Sequence, residues 1–101
     1  MILEILDEAA HDIISAHCWY ESKRVGLGAD FELCLEEAFA RIQTSPDAYP
    51  AWYRNTRRLI LTRFPYGIFF RIDRGVVYVV GVFHLRRNPA ALRAGLRQRK
   101  L

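Results

Sequence analysis

The sequence has few of the residues that cross-link a small protein or hold a metal. It contains two cysteines, Cys18 and Cys34, which form no CxxC motif, and each lies in a stretch with helical periodicity. We interpret both as small buried hydrophobic residues. The sequence therefore predicts no disulfide, no metal site and no cofactor.

Long apolar runs are also missing. No stretch reaches the roughly eighteen uncharged apolar residues that a membrane-spanning helix needs. The opening segment, Met1 to Glu8, lacks the basic region of a secretion signal. We expect a cytoplasmic protein without membrane contact. At 101 residues, the chain is expected to form one domain over residues 1–101.

Acidic residues are nearly absent from the second half of the chain. Residues 54–101 hold eleven arginines and one lysine but a single acid, Asp73, which gives a net charge of +11. Residues 1–53 hold ten acidic and three basic residues, a net charge of −7. Such a basic half-chain predicts contact with an anionic partner.

Two helices are predicted in the first half by apolar residues at three- and four-residue spacing. The first follows a short strand at residues 2–6, has Asp7 as its N-cap and ends near Gly26. The second runs from about Ala29 to Thr44, so the pair forms a hairpin. The exposed side of the first helix is predicted to carry Asp12, Glu21 and Lys23. The buried side of the second is predicted to carry Phe31, Leu35, Ala38 and Ile42.

Alternation of apolar and polar residues begins at Arg57 and predicts three strands, at residues 57–63, 66–72 and 76–83. The short links between them make neighbouring strands antiparallel. The predicted fold is therefore α+β, in the order β-α-α-β-β-β. The helical hairpin is expected to pack on one face of a curved, mainly antiparallel sheet.

Two segments show no clear period. Residues 47–55 contain Trp52 and Tyr53 and are predicted to be an ordered connection without a strand. The final segment opens with Asn88-Pro89, a favourable N-cap and first-turn pair. It is predicted to be either a short basic C-terminal helix or a disordered tail.

Several strings of the sequence, taken in order, resemble the RelE/ParE superfamily of toxins. The strings in the helical half are LDEAAHDI at residues 6–13, GLG at residues 26–28 with Phe31, and residues 42–46 with Tyr49-Pro50. Those in the strand half are Arg57-Arg58, RFPY at residues 63–66, and residues 82–87 with Pro89. The resemblance covers essentially the whole chain. It implies the growth-inhibiting toxin of a type II toxin–antitoxin pair, of the plasmid stabilisation type, held inactive by a cognate antitoxin.

The superfamily contains two mechanisms. RelE-like members cleave mRNA on the ribosome, whereas ParE-like members poison DNA gyrase and need no nucleophile. RNA cleavage requires a base, an acid and cations, and His84 is the one histidine of the basic half. The strand lysines and the late tyrosine of RelE-like enzymes are missing from this sequence. The ParE-like interpretation is therefore favoured, and enzymatic activity stays an open alternative.

Two hypotheses from other classes remain. The basic half alone is compatible with a nucleic-acid-binding module that arrests no growth. The chain could also be a degenerate toxin that only binds its antitoxin. Both differ from an active toxin in a simple test, since neither harms a cell.

Seven residues of the basic half are predicted to contact the target or the antitoxin. They are Arg57, Arg58, Arg63, Arg71, His84, Arg86 and Arg87. Each has a structural alternative: His84 could anchor a strand end, and the stem of Arg71 could cover apolar surface.

Other aromatic and basic residues are weighed the same way. Five aromatic residues are interpreted as packing residues: Trp19, Tyr20, Trp52, Tyr53 and Tyr66. Trp52 and Tyr53 could alternatively stack on a base, and Tyr66 could donate a hydrogen bond to phosphate. Three arginines of the tail, Arg93, Arg97 and Arg99, are predicted either to bind nucleic acid or gyrase or to lie in a solvated end. His11 and His17 lie on different faces of the first helix and cannot share a metal.

Overall fold

The computed structural model of the protein describes residues 1–99. Its strands are β1 (Ile2–Ile5), β2 (Ala51–Tyr53), β3 (Thr56–Ile60), β4 (Tyr66–Asp73) and β5 (Val76–His84). Its helices are α1 (Asp7–Lys23), α2 (Leu27–Thr44) and α3 (Pro89–Gln98), with a 3-10 turn at Pro46–Ala48. None of the helices in this part of the chain is long and apolar enough to cross a membrane.

The five strands form one mixed sheet in the order β1-β5-β4-β3-β2. The two long strands β4 and β5 are its centre and pair antiparallel from Tyr66 opposite His84 to Asp73 opposite Val76. The first strand pairs in parallel with β5, with Ile2 opposite Val76. The helical hairpin after β1 crosses the sheet to the opposite edge, where β2 begins the antiparallel strands. The α+β fold and its mainly antiparallel sheet are therefore confirmed.

The sequence prediction missed one strand. Ala51–Tyr53, predicted as an ordered connection, forms the edge strand β2 and pairs antiparallel with β3. A tight turn at Arg54 and Asn55 joins them, and Arg54 adopts the left-handed conformation with φ of 52°. Three residues are too few to show a period of two, so the pattern could not reveal this strand.

The helical hairpin depends on two glycines and one carboxylate. Gly26 has φ of 90°, a left-handed conformation that glycine adopts without strain. Gly28 lies inside the first turn of α2, where a Cβ atom would come within 2.7 Å of the His17 ring. The Glu21 carboxylate accepts hydrogen bonds from both glycine N–H groups, which lowers its pKa. Close helix packing therefore begins at this turn.

The helix ends differ slightly from the prediction. The second helix begins at Leu27 instead of Ala29. Asp7 is the first residue of α1 and not its N-cap, and the capping position is Leu6. Asp7 still contributes to the helix, since a carboxylate in the first turn interacts favourably with the helix dipole.

The sheet is covered on both faces. On one face α1 and α2 bury Phe31, Leu35, Ala38 and Ile42 against β3, β4 and β5, as the apolar spacing predicted. On the other face Leu92 and Leu96 of α3 pack on Phe69, Val80 and Phe83.

A bulge in the β4–β5 pairing directs side chains to the two faces. Phe69 pairs with Gly81 and Phe70 with Val79, which leaves Val80 as the extra residue. An extra residue shifts the inward and outward alternation, so both Val80 and Phe83 face α3. The single strand β5 thereby places large apolar side chains in the hydrophobic cores on both faces of the sheet.

The basic tail is a helix over its described part. The Asn88 side chain accepts a hydrogen bond of 2.7 Å from the Ala90 N–H, and Pro89 occupies the first turn. This confirms the helical alternative for the tail. Lys100 and Leu101, which end the predicted basic segment, lie outside the described residues.

Candidate functional site

The predicted site residues lie at two ends of the β4–β5 hairpin. Arg71 stands opposite Tyr78 towards the turn, whereas His84 stands opposite Tyr66 at the far end. Tyr66 and Arg71 are five positions apart along β4, which corresponds to about 17 Å. The strand arginines therefore do not converge on His84.

Arg71 binds the end of α3. Its guanidinium donates to the carbonyl oxygens of Leu96 and Arg99 at 2.8 and 2.9 Å, and its Nε donates to the Thr56 hydroxyl at 2.9 Å. Burial lowers the pKa of Arg71. The sheet face around it is not open, because α3 covers it. Here the guanidinium satisfies carbonyl groups that a helix end leaves without partners.

Arg57 also holds the framework together. Its Nη1 donates to the Tyr49 carbonyl oxygen at 2.6 Å, and its Nη2 lies 3.7 Å from the Asp47 carboxylate. These contacts tie β3 to the segment that follows α2. Arg57 and Arg71, two of the predicted contact residues, thus have their guanidinium groups engaged within the chain.

Arg58 is half-buried, whereas Arg63 is exposed. The Arg58 guanidinium stacks over the Trp52 ring at 5.2 Å, which links β3 to β2. Arg63 stands in the β3–β4 connection, over the Phe64 ring, and its Nη2 lies 3.2 Å from the Asp30 carboxylate. Exposed ion pairs of this kind contribute little to stability, so Arg63 is free to exchange its partner.

A cleft of about 370 Å³ lies where β5 ends, between that strand and α1. We call it the β5-end cleft. It is lined by Asp12, Ser15, Ala16, Trp19, Tyr66, Val82, His84 and Arg87. It contains two of the residues predicted to contact a partner, His84 and Arg87, together with an indole from α1.

The floor of the β5-end cleft is aromatic. The His84 and Tyr66 rings meet edge to face at 5.1 Å. Tyr66 in turn packs on Tyr20 and Phe31, at 6.0 and 5.2 Å. The His84 Nδ1 accepts a hydrogen bond from the Arg86 N–H at 3.1 Å, which orients the imidazole ring at the strand end.

Burial raises the pKa of Tyr66, an effect that nearby Arg87 reduces and nearby Asp12 increases. The Tyr66 phenol therefore stays protonated and can donate a hydrogen bond. The phenol lies near the Arg87 cation and the Asp12 carboxylate, which make this part of the aromatic floor polar.

The rim of the β5-end cleft combines an exposed aromatic ring with cations. Trp19 is 54% exposed, a large fraction for an indole, and Ile14 on the same helix is 59% exposed. Arg86 and Arg87 are both exposed, and the Arg87 guanidinium lies over the Phe83 ring at 5.1 Å. Apolar anchors beside exposed cations are typical of a protein-binding surface.

The ion pair between Asp12 and Arg99 escaped the sequence prediction, which gave Arg99 as a contact to nucleic acid or gyrase or as part of a solvated end. Asp12 was predicted to be exposed, but its side chain is only 16% exposed and forms a two-point ion pair with Arg99. The same carboxylate accepts a hydrogen bond from the Val82 N–H at 3.0 Å. Arg99 also donates to the Val80 carbonyl oxygen at 3.0 Å and stacks on Phe83. No local pattern marks a pair 87 positions apart.

The histidines and cysteines outside the cleft form no cluster. His17 lies 2.8 Å from a Glu32 carboxylate oxygen across the hairpin, while His11 is exposed. Cys18 is exposed, contrary to the prediction of burial, and Cys34 is half-buried. Within residues 1–99, no three His, Cys, Asp or Glu side chains are grouped to hold a metal ion.

The fold is that of a known toxin–antitoxin structure. The solved structure described as the chromosomal ParDE TA system from P. aeruginosa superposes with a TM-score of 0.77, at 18% sequence identity. The match covers 85% of this chain and 97% of that chain. Among curated proteins, none matches the sequence.

Residues 3–89 match the family model described as the ParE toxin of type II toxin-antitoxin system, parDE. The chain therefore belongs to the ParE toxin family. This confirms the resemblance to the RelE/ParE superfamily and its ParE-like branch, and it places β1 through the start of α3 inside the matched region.

Proposed function

We propose that this protein is a toxin that inhibits DNA gyrase and is neutralised by a cognate antitoxin. Membership of the ParE toxin family supports the toxin role. The gyrase target is what the ParE-like resemblance implies. The observation that carries the proposal is the β5-end cleft, because it offers a built protein-binding surface.

The composition of that cleft fits a polypeptide partner. Trp19 supplies an exposed apolar anchor, Arg87 supplies a cation in the same cleft, and the exposed Arg86 precedes Arg87 in the chain. An antitoxin segment with acidic and apolar residues would bury the indole and pair with the guanidinium groups. Opposite charges would also accelerate the encounter of the two proteins.

The arrangement around His84 supports binding over RNA cleavage. Cleavage needs several cations near one phosphate together with a base and an acid. Here Arg57 and Arg71 are engaged elsewhere, and the nearest acid, Asp12, is paired with Arg99. A single histidine with Arg86 and Arg87 fits the binding of a partner better than the cleavage of RNA.

The function is tested by induced expression in a bacterial host, while growth, DNA synthesis and protein synthesis are followed by pulse labelling. We expect an early fall in DNA synthesis with filamentous cells, and rescue by the antitoxin gene expected beside this one. An immediate fall in protein synthesis would instead support ribosome-dependent RNA cleavage. Normal growth with folded protein present would contradict a toxin role.

The surface is tested with a charge-matched pair of double variants. Arg86→Ala with Arg87→Ala removes the cation that lines the β5-end cleft and the exposed cation next to it in the chain, and is expected to abolish growth arrest or antitoxin binding. Arg24→Ala with Arg41→Ala removes the same charge from the helical hairpin and is expected to change neither. Full toxicity and full antitoxin binding in the first variant would place the functional surface elsewhere.

A further inference from the structure

A second cationic surface lies at the other end of the sheet, beyond the proposed toxin function. It is centred on Tyr53 at the end of the edge strand β2, beside α3. A cleft of about 410 Å³ opens there. It is lined by Tyr53, Arg54, Asn55, Thr56, Arg71, Leu96, Arg97 and Arg99.

Two arginines contact the Tyr53 side chain, and a third, Arg93, is a nearby charge on α3. Arg97 Nη1 donates a hydrogen bond to the phenolic oxygen at 3.0 Å. The Arg54 guanidinium lies over the Tyr53 ring at 5.2 Å. Arg93 precedes Arg97 by four residues, so both project from the same side of α3. The hydrogen bond from Arg97, with the charges of Arg54, Arg97 and Arg93, lowers the pKa of Tyr53.

These three cations have no carboxylate partner within the described part of the chain, unlike several other arginines. Arg57, Arg63 and Arg99 each have a carboxylate partner. Among residues 1–99, by contrast, no acidic side chain forms an ion pair with any of the three arginines at Tyr53. Like charges gathered at one point repel one another, and a bound anion would relieve that repulsion.

The chemistry of the group matches phosphate. Guanidinium groups bind phosphate oxygens in a two-point geometry, and a tyrosine hydroxyl is a usual further contact to the nucleic-acid backbone. Arg54 contributes a further guanidinium group to this site. Its backbone has the left-handed conformation, which Asn or Gly adopts with less strain than Arg.

The surroundings favour nucleic acid over a polypeptide partner. The apolar residues of α3, Leu92 and Leu96, are buried in the core. The exposed large hydrophobic residues within residues 1–99 all lie between Met1 and Ile60, and none lines this cleft. A polypeptide partner usually buries apolar anchors, whereas binding to the nucleic-acid backbone depends mainly on cations. We propose that Tyr53, Arg54, Arg93 and Arg97 form a binding site for the phosphate backbone of nucleic acid.

The test measures binding of the purified chain to a labelled DNA duplex of about 20 base pairs, and to a single-stranded RNA of the same length, over about 50 to 200 mM salt. Arg93→Gln with Arg97→Gln is expected to weaken binding to at least one probe about tenfold or more. The slope of log affinity against log salt should fall by roughly 1.8 for the duplex, since each phosphate contact contributes about 0.9. Tyr53→Phe should weaken binding by about two- to fivefold, through loss of one hydrogen bond.

Arg24→Gln with Arg41→Gln is the matched control, because it removes the same charge from residues of the helical hairpin that do not line the cleft. We expect less than about a twofold effect. Equal weakening by both double variants would show general attraction to a basic protein and would overturn the proposal. Absence of binding at low salt would also overturn the proposal.

A labelled oligoglutamate peptide is the third probe. If the Arg93 and Arg97 changes abolish its binding and leave nucleic-acid binding unchanged, the site is for an acidic polypeptide and the proposal is wrong. Circular dichroism confirms that each variant is folded.

Discussion

The carboxylate of Asp12 and the guanidinium of Arg99 form a two-point ion pair between α1 and the end of α3, with both side chains only 16% exposed. Arg99 also contacts Glu8 at 3.5 Å. The pair lies at the edge of the sheet between its two covering layers. It therefore joins the helical hairpin to the helix on the opposite face.

Arg99→Met is expected to destabilise the protein by about 2–3 kcal/mol, because it leaves the Asp12 carboxylate partly buried without its cation. The measurement is urea unfolding. Arg86→Ala, which removes an exposed cation, should stay within about 0.5 kcal/mol of the wild type. A wild-type midpoint in Arg99→Met would mean that the tail contributes nothing to the fold.

Two glycines make a matched comparison of packing space. A Cβ atom on Gly81 would lie 2.7 Å from the buried Phe83 ring and 3.1 Å from Arg99 Nη1, whereas one on Gly95 would meet nothing within 4 Å. We expect Gly81→Ala to destabilise the protein by about 1–3 kcal/mol through overpacking. Gly95→Ala should stabilise it by about 0.5–1 kcal/mol, since alanine favours the helix. Shifts of the thermal unfolding midpoint in the same direction for both variants would contradict the difference in packing space.

Much of this fold follows from periodicity in the sequence. The spacing of Phe31, Leu35, Ala38 and Ile42 identified the buried face of α2 correctly. The alternation after Arg57 located β3, β4 and β5, because long half-buried strands repeat every two residues. A three-residue strand such as β2 carries no such signal, and it was missed.

The functional surfaces were less accessible to sequence reasoning. A run of arginines shows that a half-chain is basic, yet it does not distinguish a guanidinium that caps a helix, as in Arg71, from one that faces solvent, as in Arg87. That distinction depends on where α3 packs. The grouping of Tyr53 with Arg93 and Arg97 likewise arises only when the tail folds back over the sheet.

Substitutions at Arg71 test whether its contribution to stability depends on the planar guanidinium or only on a positive charge. Arg71→Met keeps the apolar stem but removes three hydrogen bonds to Thr56, Leu96 and Arg99. We expect a loss of about 2–3 kcal/mol and faster hydrogen exchange in α3. Arg71→Lys keeps the charge but cannot reproduce the planar fork, so it should recover less than about half of that loss. Full recovery by lysine would show that charge alone matters at this position.

Tyr66 and Tyr53 should give opposite dependence of stability on alkaline pH. Burial raises the pKa of Tyr66 in the folded chain, so above the unfolded value of about 10 the unfolded phenol loses its proton first. Unfolding then becomes more favourable, and this contribution to stability falls as pH rises from about 10 through the folded-state pKa. Arginine contacts lower the pKa of Tyr53, so its contribution to stability instead grows as pH rises from its folded-state pKa to about 10.

Urea unfolding of the wild type, Tyr66→Phe and Tyr53→Phe, repeated from about pH 8 to 11, separates the two effects. Relative to the wild type, Tyr66→Phe should gain stability above about pH 10, because it has no proton to lose. Tyr53→Phe should lose stability relative to the wild type over the range below that pH. The two phenylalanine variants share the same ring, so a parallel pH response in both would contradict the burial of Tyr66 in the β5-end cleft and the arginine contacts of Tyr53.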